Sequence, residues 1–199
     1  MMRLTLLLLV SLFAAANAWA DVSYSPYGVR GGDVLNMRAQ ANARAPVVAT
    51  IAPEATGVVL TGKSAPGDWV EVTYKRKRGW VNGRFLGFGT GRFQLPAYLD
   101  CAGTEPFWSV ALIPGQARAD LMFAERRRFF KLTRASTAMG RPDIWHIRGS
   151  NRPGEITLIV RHETCSDGMS DNRYPYSAIA LISGQDMIAG CCRPAVPRG

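Results

Sequence analysis

Short apolar runs, rich in β-branched and aromatic residues, recur along this chain and are cut at close intervals by Gly, Pro and Asp. Val47–Ile51, Val58–Thr61, Trp69–Tyr74 and Gly79–Val81 are separated by Pro53, Gly62, Pro66-Gly67-Asp68 and a basic stretch, Lys75-Arg76-Lys77-Arg78. Runs bounded in this way predict strands, and the pair flanking the basic stretch predicts a hairpin. The pattern continues beyond residue 100 with Trp108–Ile113, Ala119–Phe123, Phe129–Thr133, Ile144–Ile147, Glu155–His162, Ala178–Ile182 and Met187–Ala189. No helical period longer than two turns interrupts it. The expected fold is all-β: a small barrel over 27–88, then an antiparallel β-barrel-like domain of seven or eight strands over 93–193. Gly87-Phe88-Gly89-Thr90-Gly91 is the natural linker, because closely spaced glycines resist regular structure.

The N-terminus departs from this pattern. Arg3 is followed by an uncharged run from Leu4 to Ala16, and Ala18-Trp19-Ala20 follows shortly after. A positive charge, a short apolar core and an A-x-A site form a secretion signal. Cleavage is expected between Ala20 and Asp21, with Ala16-Asn17-Ala18 as a second site. The run is shorter than the roughly 20 apolar residues a spanning helix needs. No transmembrane anchor is expected after cleavage, and a periplasmic or secreted location follows. The formal net charge is +9. That balance favours anionic partners such as cell-wall polymers, phospholipid surfaces or acidic proteins. Export argues against nucleic acid.

Export also changes the meaning of the cysteines. Cys101, Cys165, Cys191 and Cys192 contain no C-x-x-C pair. In an oxidising compartment they read as two disulfides rather than as zinc ligands. A bond between the neighbours Cys191 and Cys192 would strain the peptide between them. Two cross-pairings remain, and in both the adjacent pair ties the C-terminal end to Cys101 and Cys165.

Val34-Leu35-Asn36-Met37-Arg38, Val48-Ala49-Thr50-Ile51, Gly57, Asp68-Trp69-Val70-Glu71-Val72 and Gly79-Trp80-Val81 with Leu86 form a connected pattern. It resembles the bacterial SH3-like (SH3b) domain, with Met37 where Val is usual and Ala39-Gln40-Ala41-Asn42 in place of the common turn. The resemblance implies a binding module, often for peptidoglycan or a protein partner, with no catalysis of its own. The expected contact residues are Asn36, Arg38, Tyr74, Lys75, Arg76, Lys77, Arg78 and Trp80. Against this, Trp69 and Trp80 read first as core packing, since buried aromatics carry much of a small core, and Lys75–Arg78 as a solvated hairpin tip.

Gly103-Thr104-Glu105-Pro106-Phe107-Trp108, Cys165-Ser166-Asp167-Gly168-Met169-Ser170-Asp171 with Tyr174-Pro175, and Gly190-Cys191-Cys192 resemble a family of uncharacterised bacterial envelope proteins. That resemblance brings no established activity. It does imply a pairing, Cys165 with Cys191 and Cys101 with Cys192.

Chemistry in the second half would have to come from Glu105, Asp167, Ser170, Asp171, His146 or His162. Ser109 and Ser170 lack a G-x-S-x-G elbow. His162 and Glu163 are sequence neighbours, which a strand points to opposite faces. No metal site and no cofactor are expected, and no catalytic residue is assigned. Asp167 and the Ser side chains of its loop are expected to bond local backbone N–H groups, with Gly168 allowing a positive φ. Glu105 would accept hydrogen bonds from that loop. The rival expectation is a pocket for a small ligand or partner, built from Glu105, Trp108, Asp167, Ser170, Asp171 and Tyr174. The expected function is a non-enzymatic binding protein that docks on peptidoglycan or an envelope protein. The alternatives are a secreted inhibitor or chaperone-like factor, and a cell-wall hydrolase.

Overall fold

The structure, a computed structural model, describes residues 22–89, 93–113, 116–185 and 187–195. The expected secretion signal and its expected cleavage site at Ala20 and Asp21 lie outside the described residues. Sixteen strands and a single 3-10 turn make up the described secondary structure.

The first sheet contains β1 (Ser23–Pro26), β2 (Leu35–Arg38), β3 (Val47–Ile51), β4 (Val58–Ala65), β5 (Trp69–Tyr74), β6 (Lys77–Asn82), β7 (Leu86–Phe88) and β8 (Leu95–Pro96). Its order is β3-β2-β6-β5-β4-β1-β7-β8. Period-two alternation sets the faces. Leu35, Met37, Val70, Val72, Tyr74 and Val81 point inward and are buried. The β5–β6 hairpin turns on Lys75 and Arg76, whose φ values are 45° and 64°. Positive φ at both central residues defines a type I′ turn, whose twist matches that of the strands. Lys77 and Arg78 already belong to β6, so the connection is shorter than the basic stretch.

The second sheet contains β9 (Leu99–Thr104), β10 (Phe107–Ile113), β11 (Arg118–Phe123), β12 (Arg126–Ala138), β13 (Arg141–Ser150), β14 (Glu155–Cys165), β15 (Tyr174–Ile182) and β16 (Ile188–Pro194). All are antiparallel to their neighbours, and β16 pairs back onto β9 to close an eight-stranded barrel. Closure removes the open edges a meander would otherwise expose. An eight-stranded barrel has an interior that side chains fill. Val110, Leu121, Phe130, Trp145, Ile147, Leu158, Val160 and Ala180 do so here. Each large apolar side chain contributes about 1.5–3 kcal/mol on burial.

Closure is locked at one seam. Cys101 and Cys192 are register partners on β9 and β16 and are disulfide-bonded. Cys165 at the end of β14 is bonded to Cys191. This is the pairing the envelope-family resemblance implied. Two glycines let the seam close. A Cβ on Gly103 would collide with the Trp108 indole, and one on Gly190 with the Ala102 carbonyl. Trp108 is buried, and its indole N–H donates to the Ala189 carbonyl at 3.1 Å. The Gly103–Trp108 and Gly190–Cys192 motifs therefore interlock as one structural joint.

The two sheets share a continuous core. Leu86, Phe88, Leu95, Ala97 and Leu99 carry it from one to the other. Backbone and side-chain bonds follow the same path: Ala97 N–H donates to Leu86 O at 2.9 Å, and Gln94 Nε2 to Pro26 O at 2.7 Å.

Candidate functional sites

The outer face of β2, β6 and β5 carries the first candidate site. Arg38 is in register with Trp80, Trp80 with Glu71, and Asn82 with Trp69. Register partners share a face, so Asn36, Arg38, Trp80, Asn82, Trp69 and Glu71 all point away from the core. Trp69 and Trp80 are half-buried on this face, and neither is a core residue. The expectation of core packing is corrected by parity: Val70, Val72 and Val81 occupy the inward positions, so both tryptophans must face outward. Tyr74 is the converse case. It falls on the inward parity and is 8% exposed, which corrects its expected role as an exposed contact.

A groove of about 560 Å³ opens on this face, lined by Asn36, Arg38, Trp69, Asn82, Arg84 and Phe85, among others. Its shape depends on the 3-10 turn Gly83–Phe85 that follows β6. Asn82 caps this turn: its Oδ1 accepts from Arg84 N at 3.2 Å and from Arg84 Nε at 3.1 Å, while its Nδ2 donates to Gly67 O at 2.9 Å. One side chain thus fixes the β4–β5 turn, the 3-10 turn and the Arg84 guanidinium together. Gly83 suits the close approach there, since a Cβ would lie 3.0 Å from the Tyr98 ring and push it aside. Arg38 Nη1 donates to Ala45 O at 2.8 Å, holding its guanidinium at the groove wall. Arg30 also lines the groove, with Asp33 as its carboxylate. The groove is cationic with an aromatic floor, suited to carboxylate-bearing or polar ligands.

Of the expected contact residues, Asn36 and Arg38 line this groove. Trp80 continues the same face, and Lys75, Arg76, Lys77 and Arg78 sit at the far end of the hairpin. Arg30, Asn82, Arg84 and Phe85 were missed. A bacterial SH3 domain family model matches residues 33–87. Residues 33–87 form a bacterial SH3 domain. No curated protein and no solved structure matches the chain. The SH3 match begins just before β2 and ends within β7, so it contains all of the groove except its Arg30 side.

The second candidate site is the loop between β14 and β15, which folds over the outer wall of the barrel. Asp167 organises it. Its Oδ1 accepts from Met169 N at 3.0 Å and Ser170 N at 2.8 Å. Its Oδ2 accepts from Ser170 Oγ at 2.9 Å and Tyr174 OH at 3.0 Å. The two backbone N–H bonds, reinforced by the hydroxyls, hold the carboxyl down at about 2. Gly168 has φ 72°, as the turn requires. Ser170 Oγ also accepts from Asn172 N at 3.2 Å. This is the local network expected for the loop. Its link to the β9–β10 turn comes from Thr104, whose Oγ1 donates to Asp167 O at 3.4 Å. Glu105, expected to accept hydrogen bonds from this loop, is exposed, and Thr104 makes the link in its place. Glu105, Ser170 and Asp171 also stand outside the lining of the cavity beneath the loop.

A cavity of about 300 Å³ lies under the loop, lined by Asp100, Thr104, Ser109, Asp167, Tyr174, Cys191 and Arg193, among others. Asp167 and Tyr174 are thus brought together. Trp108 is not: its burial against β16 corrects its expected place in a pocket wall. His146 and His162 are also apart. His146 lies near Arg148 and Arg134, and burial followed by those cations lowers its pKa. His162 packs on Phe93 and Tyr176. Among the described residues no cluster of His, Cys, Asp and Glu is arranged to hold a metal ion.

Proposed function

We propose that the protein is an exported, non-enzymatic binding protein of the cell envelope, docking on peptidoglycan through the groove of its SH3 domain. The observation that carries this reading is the groove itself. Arg30, Arg38 and Arg84 line it together with Trp69 and Phe85, beside a single carboxylate, Asp33. Peptidoglycan stem peptides present carboxylates beside short apolar side chains, and arginine pairs with carboxylates in a directional, bidentate manner. Two disulfides with no free cysteine among the described residues support an oxidising location, as does the signal-like N-terminus. The barrel supplies a rigid platform whose core continues into the SH3 domain.

Sedimentation of the whole chain with purified peptidoglycan tests the reading. Wild-type protein is expected in the pellet, and Trp69→Ala with Arg84→Ala is expected in the supernatant. Equal sedimentation of both proteins would refute the groove. A wild-type protein that stays in solution would redirect the reading to a protein partner.

A further inference from the structure

The groove leaves the basic hairpin tip unexplained. Trp69 and Asn82 mark the groove end of the β5–β6 ladder, and Tyr74 and Lys77 mark its other end. Five residue steps along the strand separate them, about 17 Å at the usual rise. The hairpin tip therefore lies away from Trp69 and Asn82, while Arg38 and Ala43 carry the groove toward the β2–β3 loop.

Register places three segments at that end: the β5–β6 turn, the loop between β2 and β3, and the start of β4, whose Val59 pairs with Thr73. The segment leading into β4 carries one exposed carboxylate, Glu54. Arg38 pairs with both Trp80 and Val47, so the loop between β2 and β3 emerges beside the β5–β6 turn. Residues 39–50 and 72–80 together contain Arg44, Lys75, Arg76, Lys77 and Arg78, and no Asp or Glu. All five cations are exposed. Among the described residues, none of the five forms an ion pair with a carboxylate. Val47 and Val48 are exposed at 46% and 37% on the edge strand of the sheet. Val48 lies against Gly79, the residue after Arg78, since a Cβ there would sit 2.9 Å from Val48 Cγ2.

The turn residues point the same way. A type I′ turn favours Asn-Gly, because positive φ is costly for other residues. Lys75 and Arg76 occupy those two positions. Charge is kept there against the local backbone preference.

We infer that this end of the SH3 domain docks on an anionic phospholipid bilayer. The five cations meet the headgroup phosphates, and Val47 and Val48 enter the interface. A soluble polyanion would satisfy the cations but would give Val47 and Val48 no apolar layer to enter.

The test is sedimentation of the whole chain with phosphatidylcholine vesicles, with and without about one-third phosphatidylglycerol. Binding is expected only with phosphatidylglycerol, and it should weaken with added salt. Each basic residue near such a surface is worth roughly a fivefold change in partitioning. Replacing Lys75→Asn, Arg76→Gly, Lys77→Gln and Arg78→Gln together should therefore lower partitioning by several hundredfold. The Asn-Gly pair suits the turn, so this variant should keep its urea midpoint. Val47→Ser with Val48→Ser should lower partitioning about tenfold, as expected when two half-buried apolar side chains are lost. Equal binding to both vesicle types, or wild-type partitioning of the charge variant, overturns the proposal. Loss with the charge variant but none with the serine variant overturns the entry of Val47 and Val48 into the interface.

Discussion

The two disulfides close loops of different length, and removing them separately should cost different amounts. Cys101–Cys192 has a sequence separation of 91, and Cys165–Cys191 one of 26. In the chain-entropy treatment these correspond to about 4.6 and about 3.5 kcal/mol at 25 °C. The shorter loop is nested in the longer one. With it closed, the outer loop shortens to about 65 residues, and the outer bond is worth about 0.3 kcal/mol less. Packing then widens the gap. Cys101 and Cys192 are 1% and 0% exposed, whereas Cys165 is half-buried. Replacing the first pair by Ala therefore also removes contacts in the barrel wall, which a cavity penalises further.

The assay is urea unfolding of Cys101→Ala/Cys192→Ala and Cys165→Ala/Cys191→Ala, followed by far-ultraviolet circular dichroism. Each bond is worth about 0.3 kcal/mol less with the other in place, so with a urea m value of about 2 kcal/mol per M the midpoints should fall by at least about 2.2 M and by about 1.6 M. The second variant should be distinguished by limited proteolysis. Its loop loses the anchor to β16, and cleavage between residues 166 and 173 should rise while barrel strands stay protected. If Cys165→Ala/Cys191→Ala proved the less stable variant, neither loop length nor burial would be setting the stability, and the reasoning would fail.

Other parts of the fold give sharper outcomes. Gly190→Ala drives a Cβ into the Ala102 carbonyl and should destabilise the barrel by about 3 kcal/mol or more, the upper range for overpacking; a thermal midpoint within a degree of wild type would contradict the close β9–β16 approach. The Asp167 carboxyl is lowered from 3.8 to about 2 in the folded state, so its stabilising contribution is complete above pH 3.8 and is lost as pH falls toward 2. Asp167→Asn should remove that part of the acid dependence of loop protection in hydrogen exchange, and an unaltered profile would count against the capping role. Asn82→Ala releases both the 3-10 turn and the Gly67 carbonyl, and should cost about 1 kcal/mol of stability, typical of a lost cap. It should also weaken peptidoglycan binding, with binding at full strength arguing that Arg84 holds its place unaided.

Much of the strand pattern could be read before the structure, and its gaps have specific causes. β3 and β5 match their apolar runs end to end. β9 was missed because Leu99-Asp100-Cys101-Ala102-Gly103-Thr104 has no β-branched residue before its last position. Its inward side chains shrink to a glycine because Trp108 fills the space. The end of β16 was missed for a related reason: Gly190-Cys191-Cys192-Arg193-Pro194 has no strand propensity of its own and is held by pairing and two disulfides. The pairing itself came from a resemblance, since the residues alone left two arrangements open. β12 outran its apolar run because alternation continues through Arg134 and Ser136, which face solvent.

The groove shows where strand reasoning stops. Asn36 and Arg38 were legible as outward positions of a short strand. Trp69 was assigned to the core on size, yet its own strand carried the correction. Trp69, Glu71 and Thr73 share one parity, Val70, Val72 and Tyr74 the other, and a carboxylate on the first set marks it as outward. Parity alone places Tyr74 on the buried face and Trp69 on the outward face, where it is half-buried. Arg84 and Phe85 follow no such rule. They lie on a 3-10 turn, where alternation no longer applies, and only the Asn82 cap and the Gly83–Tyr98 approach bring them to the groove. Tyr98 lies beyond the SH3 match, and burial, then Asp68, pushes its hydroxyl up to about 12. Its ring backs Gly83 from just before β9. The binding face of the SH3 domain is shaped in part by the chain that begins the barrel, which is why a domain-by-domain reading of the sequence recovered half of the groove and not the rest.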